Sequence, residues 1–144
     1  MTTREAIIAE ARSWIGTPYR HQASLKGIGC DCLGLARGVW RALHGTEPEA
    51  PPAYSRDWAE ARGRETLAEA AGRHMAPVAV ADMRPGDLVL FALNENSPAK
   101  HCAILVAPDR MVHGIESHPV AEVSLGSWWR RRIRFVFAFP GVED

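Results

Sequence analysis

The sequence lacks the features that mark several specialised classes of protein. Its 17 basic and 17 acidic side chains balance, so no net charge draws the chain to nucleic acid or to an anionic lipid surface. No apolar run approaches the roughly twenty residues that a membrane-spanning helix requires. The sequence contains no internal repeat and no low-complexity tract. For these 144 residues we therefore expect no nucleic-acid partner and no membrane insertion.

Cysteine is also scarce. Only three cysteines are present, an odd number, which excludes a full disulfide framework. Cys30 and Cys32 lie two positions apart beside an expected helix start, where they are poorly placed to bond each other. Reduced thiols are typical of a protein made in the cytoplasm. Because the first residues also lack the basic and then apolar pattern of a signal peptide, we expect cytoplasmic synthesis without an export signal.

Positive charge is concentrated locally after Trp128 and Trp129. The residues that follow are Arg130–Arg132 and Arg134. One interpretation is a solvated face on which arginine stacks on tryptophan, and another is contact with a phosphate or an acidic partner.

The first half of the chain has helical patterns. Thr2 and Glu5 are typical of a capping box, and apolar residues from Ile7 to Ile15 recur on one face of a helix. Proline and glycine then separate the segments. The expected elements are a first helix that Gly16 ends, a loop over 20–31, a second helix over 32–43, a proline-rich surface connection over 47–54, and one broken or two short helices over 55–75.

The second half has strand patterns, with short turns between most of the segments. The expected strands cover 78–80, 88–91, 101–106, 111–115, 120–125 and 134–139, with a helical turn beginning near 126–129. Helices first and strands second indicate an α+β fold, in which N-terminal helices pack on a C-terminal antiparallel sheet of about five to six strands. We expect residues 1–144 to form one domain.

A candidate nucleophile lies where the loop meets the second helix. Asp31 is a suitable N-cap residue, and Leu35 and Val39 continue an apolar helical face after it. Cys32 would then occupy the first turn, where the positive end of the helix dipole lowers the pKa of a thiol. The alternative is that Cys32 is simply a small buried residue.

Two histidines complete a candidate constellation. His101 begins one expected strand and His113 lies on the next, and a hairpin around Pro108 and Asp109 would place both on one face of the sheet. A thiol, an imidazole and a second polar side chain behind it form a nucleophile, a base and a group that orients the base. Cys32 would attack a carbonyl, and His101 would protonate the leaving amine.

A zinc site is the main alternative for the same residues. The available ligands would be Cys30, Cys32, His101 and Cys102. Strand alternation, however, places His101 and Cys102 on opposite faces, and Cys-x-Cys is a less usual spacing than Cys-x-x-Cys. We therefore favour catalysis with no metal and no cofactor, while Cys30 is either a packing residue or a redox neighbour of Cys32.

Motifs along nearly the whole chain resemble the NlpC-type cell-wall peptidases, a papain-like cysteine peptidase family. The resemblance is closest to the phage-tail and gene-transfer-agent branch. The matching segments are 14–19 (WIGTPY), 29–35 (GCDCLGL), 84–91 (RPGDLVLF), 100–104 (KHCAI) and 111–113 (MVH). The resemblance implies that Cys32 is the nucleophile, His101 the base and His113 the third polar residue. It assigns Tyr19 and Asp31 to the oxyanion and substrate-binding part of the site.

The function implied by the resemblance is cleavage of peptidoglycan stem peptides, typically between the γ-carboxyl of D-glutamate and the diamino acid. Many cellular members carry Ser after the nucleophile, whereas this chain has Leu33, as the phage-like branch does. We therefore expect a tail component that is held by tail-hub or tail-tip proteins and opens the wall from the periplasm during DNA delivery. The alternative is a structural plug or adaptor at the tail tip, with secondary or no catalysis.

Overall fold

The computed structural model describes residues 2–47 and 65–143. Its helices are α1 (Arg4–Arg12), α2 (Cys32–His44), α3 (Thr66–His74) and the short α4 (Ser127–Arg130). Its strands are β1 (Thr2–Thr3), β2 (Ser24–Leu25), β3 (Gly29–Cys30), β4 (Ala76–Val78), β5 (Leu88–Phe91), β6 (His101–Ala107), β7 (Arg110–His113), β8 (Ala121–Ser124), β9 (Ile133–Ala138) and β10 (Val142–Glu143). The predicted connection beyond Glu47 and the first part of the predicted helix over 55–75 lie outside the described residues.

Six strands form one antiparallel sheet in the order β4-β9-β5-β6-β7-β8. Two small ladders accompany it: β1 pairs in parallel with β10, and β2 pairs antiparallel with β3. The helices α1, α2 and α3 precede the main sheet along the chain, so the predicted α+β architecture is confirmed. Among the described helices, none has the length and apolar character needed to cross a membrane.

The two faces of the sheet bury different sets of apolar side chains. Leu90, Cys102 and Ile104 face α1 and α2 and share the larger core with them. Phe91 and Ala103 belong to a second cluster on the opposite face, against which Trp129 packs. Alternation along the strands produces this division. As a result β6 is buried on both faces, and α2 packs directly against it.

A buried ion pair joins α1 to the turn before β5. The Arg4 Nη1 donates to Asp87 Oδ1 at 2.7 Å, and the backbone N–H of Arg84 donates to the other carboxylate oxygen at 2.8 Å. The Asp87 side chain is almost completely buried, so it depends on these donors for the hydrogen bonds that water would otherwise supply. The turn at 84–87 therefore also anchors the first helix.

Three local predictions are wrong. Thr3, rather than Thr2, caps α1, because the helix begins at Arg4 and the Thr3 hydroxyl accepts from Ala6 N. The expected loop over 20–31 contains the β2–β3 hairpin, whose strands are too short for alternation to reveal them. The strand expected at 78–80 lies at Ala76–Val78, and a 3₁₀ helix follows it.

Close packing of α2 against the turn that follows α1 gives a stability prediction. A methyl group at Gly38 would come within 2.0 Å of the Trp14 ring, which is buried. Alanine in place of glycine ordinarily stabilises a helix by about 1 kcal/mol, but overpacking of this kind costs about 1–3 kcal/mol. We therefore expect Gly38→Ala to lower the free energy of unfolding measured by urea denaturation.

The matched control is Gly72→Ala in α3. There the new Cβ would meet only Phe137, at an ordinary contact distance of 3.8 Å. This substitution should raise the free energy of unfolding by up to about 1 kcal/mol. An unchanged or raised free energy of unfolding in Gly38→Ala would contradict the packing of Gly38 against Trp14.

Candidate active site

The first turn of α2 is fixed by the carboxylate of Asp31. One oxygen accepts from the backbone N–H of Gly34 at 2.7 Å, as the predicted N-cap requires, and the other accepts from Gln22 N at 2.7 Å. Gly34 allows the preceding loop to approach closely, since a Cβ there would lie 1.8 Å from the carbonyl oxygen of Ala23. The loop and the helix start are therefore locked together around the residue between them, Cys32.

Cys32 is the first residue of α2 and lies against the beginning of β6. Its Sγ is 3.8 Å from the carbonyl oxygen of Lys100, and its own carbonyl oxygen accepts from the thiol of Cys102 at 3.3 Å. The side chain is partly exposed, whereas Cys30 and Cys102 are buried. Cys32 is therefore the cysteine that a substrate can reach.

The surroundings of Cys32 favour its thiolate. A hydrogen bond from Cys102 and then the hydrogen bond and positive charge of His101 hold the pKa of the Cys32 thiol well below its usual range. Burial and the nearby Asp31 carboxylate act in the opposite direction but are outweighed. Cys30 differs, because burial and then the charge of Asp31 raise its pKa to about 12. Cys30 is thus a neutral packing residue of the larger core.

The two predicted histidines meet on one face of the sheet. His101 Nε2 and His113 Nδ1 are 2.9 Å apart, and both side chains are 5% exposed. The predicted hairpin is confirmed, with Ala107 opposite Arg110. Burial, followed by the positive charge of His101, lowers the pKa of His113 to about 4. A neutral His113 can accept a hydrogen bond at Nδ1 from the Nε2–H of a protonated His101, and Nδ1 of His101 is then the nitrogen available to Cys32.

Trp129 is part of the site and was not anticipated. Its ring centroid lies 5.4 Å from that of His101 and 5.3 Å from that of His113, and Phe91 packs edge-on against it at 5.0 Å. The neighbouring Trp128 is exposed and carries the stacked guanidinium of Arg132, as one interpretation of this segment predicted. Trp129 thus covers the hydrogen bond between the histidines and shields it from water.

Tyr19 and Asp31 occupy different positions beside the nucleophile candidate. Tyr19 forms an isolated backbone bridge with Cys30, which precedes Cys32 by two residues. The Tyr19 side chain is partly buried. The Asp31 carboxylate is occupied by backbone N–H groups and supports the helix start. Their assignment to the oxyanion and substrate-binding part of the site stays a prediction.

Within residues 2–47 and 65–143, no three His, Cys, Asp or Glu side chains are grouped so that they could hold a metal ion. The four residues of the zinc alternative do not converge, because Cys30 and Cys102 belong to the core beneath the sheet while His101 lies on its other face. The geometry brings together Cys32, His101 and His113 instead.

The lowered pKa of His113 makes stability depend on pH. The folded protein favours neutral His113. The contribution of His113 to the free energy of unfolding is therefore fully present above the ordinary pKa of about 6.5 and is lost as the pH falls toward about 4. When the pH is lowered from 7.5 to 5, we expect the free energy of unfolding to fall in the wild type. The fall should be about 1–2 kcal/mol smaller in His113→Asn. Urea denaturation at both pH values tests this, and parallel losses in the two proteins would contradict it.

Comparison with known proteins places these residues in a family. The sequence matches the NlpC/P60 family over residues 16–136. The γ-DL-glutamyl hydrolase of Bacillus subtilis (strain 168) is 25% identical over 137 residues, which are 94% of this chain but only 29% of that protein.

Solved structures show the same fold. The NlpC/P60 domain of the peptidoglycan hydrolase SagA has a TM-score of 0.67 at 22% identity, covering 96% of this chain and 100% of that one. An NlpC/P60 family protein from Bacillus cereus has a TM-score of 0.66 at 19% identity, covering 94% of this chain and 39% of that one. These likenesses confirm the predicted NlpC-type fold. Because the family match covers most of the chain, the protein belongs to the NlpC/P60 family.

Proposed function

We propose that this chain is a peptidoglycan endopeptidase that cleaves stem peptides through the thiolate of Cys32. The observation that supports this most directly is a partly exposed thiol on the first turn of a helix beside His101, whose Nε2 lies 2.9 Å from Nδ1 of His113. Membership of a family that contains peptidoglycan hydrolases agrees with this chemistry. Cys32, His101 and His113 then act as nucleophile, general acid and base, and orienting residue.

Acylation follows from the geometry. The Cys32 thiolate attacks the carbonyl carbon of the scissile amide, and the negative charge moves to the carbonyl oxygen. The backbone N–H of Cys32 is available to this oxyanion, since the first residues of a helix have no intrahelical acceptor. Tyr19 is the proposed second donor. The imidazolium of His101 gives its proton to the amine nitrogen, the C–N bond breaks, and a thioester to Cys32 remains.

Deacylation uses the same groups in reverse. Neutral His101 removes a proton from water, and the resulting hydroxide equivalent attacks the thioester carbonyl. Collapse of the tetrahedral intermediate releases the carboxylic acid product and restores the thiolate with its imidazolium partner. His113 keeps the same ring nitrogen of His101 directed at the reacting atoms throughout, because it is hydrogen-bonded to the opposite nitrogen.

The proposed scissile bond joins the γ-carboxyl of D-glutamate to the diamino acid of the stem. The distant relative named as a γ-DL-glutamyl hydrolase supports a γ-linked glutamyl substrate. This chain matches about three tenths of that relative, which leaves the bond as a proposal.

Digestion of purified sacculi tests the activity. The wild type should release muropeptides with new glutamate termini, identified by mass spectrometry, while Cys32→Ser should release none, because an alcohol next to an imidazole lacks the acidity of the thiol. Equal melting temperatures of the two proteins would show that only the nucleophile has changed. Release by both proteins would refute the role of Cys32, and release at another bond would refute the proposed specificity.

We also propose that the protein is made in the cytoplasm, is assembled into a phage-like tail and acts in the periplasm. Leu33, which replaces the serine of many cellular members, supports this branch of the family. Affinity purification from producing cells should recover tail-hub or tail-tip proteins in a fixed ratio to this chain. Recovery of the chain without tail proteins, from cells that assemble tails, would contradict this placement.

A further inference from the structure

Trp129 lies in a short segment that is bonded to two other parts of the sheet. The guanidinium of Arg130 donates to the carbonyl oxygen of Pro108 at 3.1 Å, which ties α4 to the turn between β6 and β7. After α4, the carbonyl oxygen of Arg132 accepts from the backbone N–H of Ala92, directly after β5, at 3.0 Å. The backbone that carries the Trp129 ring is therefore held on both sides.

The rings of Trp129 and His101 are stacked more nearly face to face than edge to face. Their planes are inclined by 31° and their centroids are 5.4 Å apart. The ring of His113 stands at 89° to the indole, and the rings of Phe91 and Trp128 stand at 68° and 82° to it. Among these ring contacts of the described residues, that of His101 is the one closest to a parallel stack.

The face of an indole attracts positive charge. A cation within about 6 Å of the ring centroid is stabilised by the π-system, more strongly over tryptophan than over other rings and more strongly where water is excluded. His101 meets the distance condition and is 5% exposed. In the proposed mechanism His101 is positively charged before it protonates the leaving amine and neutral afterwards. The indole face therefore interacts more strongly with one of the two forms that the reaction uses.

We propose that Trp129 is a positioning residue whose indole face holds the ring of His101 and stabilises its imidazolium form. Trp129 acts through His101 and does not contact the reacting atoms. The proposal rests on the function proposed above, in which His101 gives and takes the proton. It differs from protection against water, because an apolar cover without a π-face disfavours a charged ring.

Several titratable or charged groups surround the two stacked rings. They are Cys32 at the start of α2 with Asp31 before it, Lys100 before β6, His113 on β7, and Arg130 and Arg132 beside Trp129. The arginines stay charged throughout the accessible pH range. Because coupled groups share their titration steps, every protein in the test carries Cys32→Ser, which removes the thiol from the titration.

The experiment follows the ring signals of His101 and His113 by NMR spectroscopy as the pH is varied. Two substitutions are matched: Trp129→Leu keeps an apolar cover but has no π-face, while Trp129→Phe keeps an aromatic ring. Trp128→Leu is the control, because it removes the neighbouring exposed indole and leaves Trp129 in place. Thermal unfolding identifies the variants that retain the fold, and Trp129→Met supplies a second apolar side chain if Trp129→Leu does not fold.

Trp129→Leu should lower the pH at which the ring of His101 is half protonated by about half to one unit, because the imidazolium loses its partner. Trp129→Phe should lower this midpoint by less, and Trp128→Leu should leave it unchanged. His113 reports on the cover in the same spectra. Since burial is the largest cause of its lowered pKa, a rise in the midpoint of His113 shows that water has entered.

An unchanged or raised midpoint of His101 in Trp129→Leu would overturn the proposal, because a residue that only covers the histidines predicts a rise when the cover is reduced. An equal fall in Trp128→Leu would overturn it as well. The titration requires neither a peptide substrate nor the nucleophile. Failure of the sacculus digestion and failure of this proposal are therefore separate outcomes.

Discussion

The position of the first turn of α2 is the constraint on which the site depends. Asp31 ties that turn to the preceding loop, and Cys102 ties the carbonyl of Cys32 to β6. A helix start held from both sides places the sulfur where the helix dipole and His101 act on it together. The bond from Cys102 also depends on packing, because it forms only where α2 lies against a strand that is buried on both faces.

Much of this arrangement could be predicted from local patterns. A capping residue followed by an apolar helical face located α2 and put Cys32 on its first turn. Alternation along two strands joined by a short turn was enough to bring His101 and His113 together. Such predictions succeed because the period of a helix or a strand determines which side chains share a face, wherever the element lies in the fold.

Contacts between elements distant in sequence were not predictable in this way. Trp129 belongs to a four-residue helix after β8, and only the folded sheet brings it over the histidines. Cys102 was correctly placed on the face opposite His101, but alternation along a strand says nothing about what packs beneath it. The β2–β3 hairpin escaped notice because ladders of two residues leave no periodic signal.

Asp31 also carries a cost for reactivity. Its negative charge opposes ionisation of the neighbouring thiol, yet both of its oxygens are needed, one for the helix start and one for the N–H of Gln22. An asparagine would remove the repulsion but would offer only one oxygen, so the loop or the helix would lose an anchor. The same carboxylate therefore stabilises the loop and the helix start and makes the Cys32 thiol less acidic, which is a compromise between stability and activity.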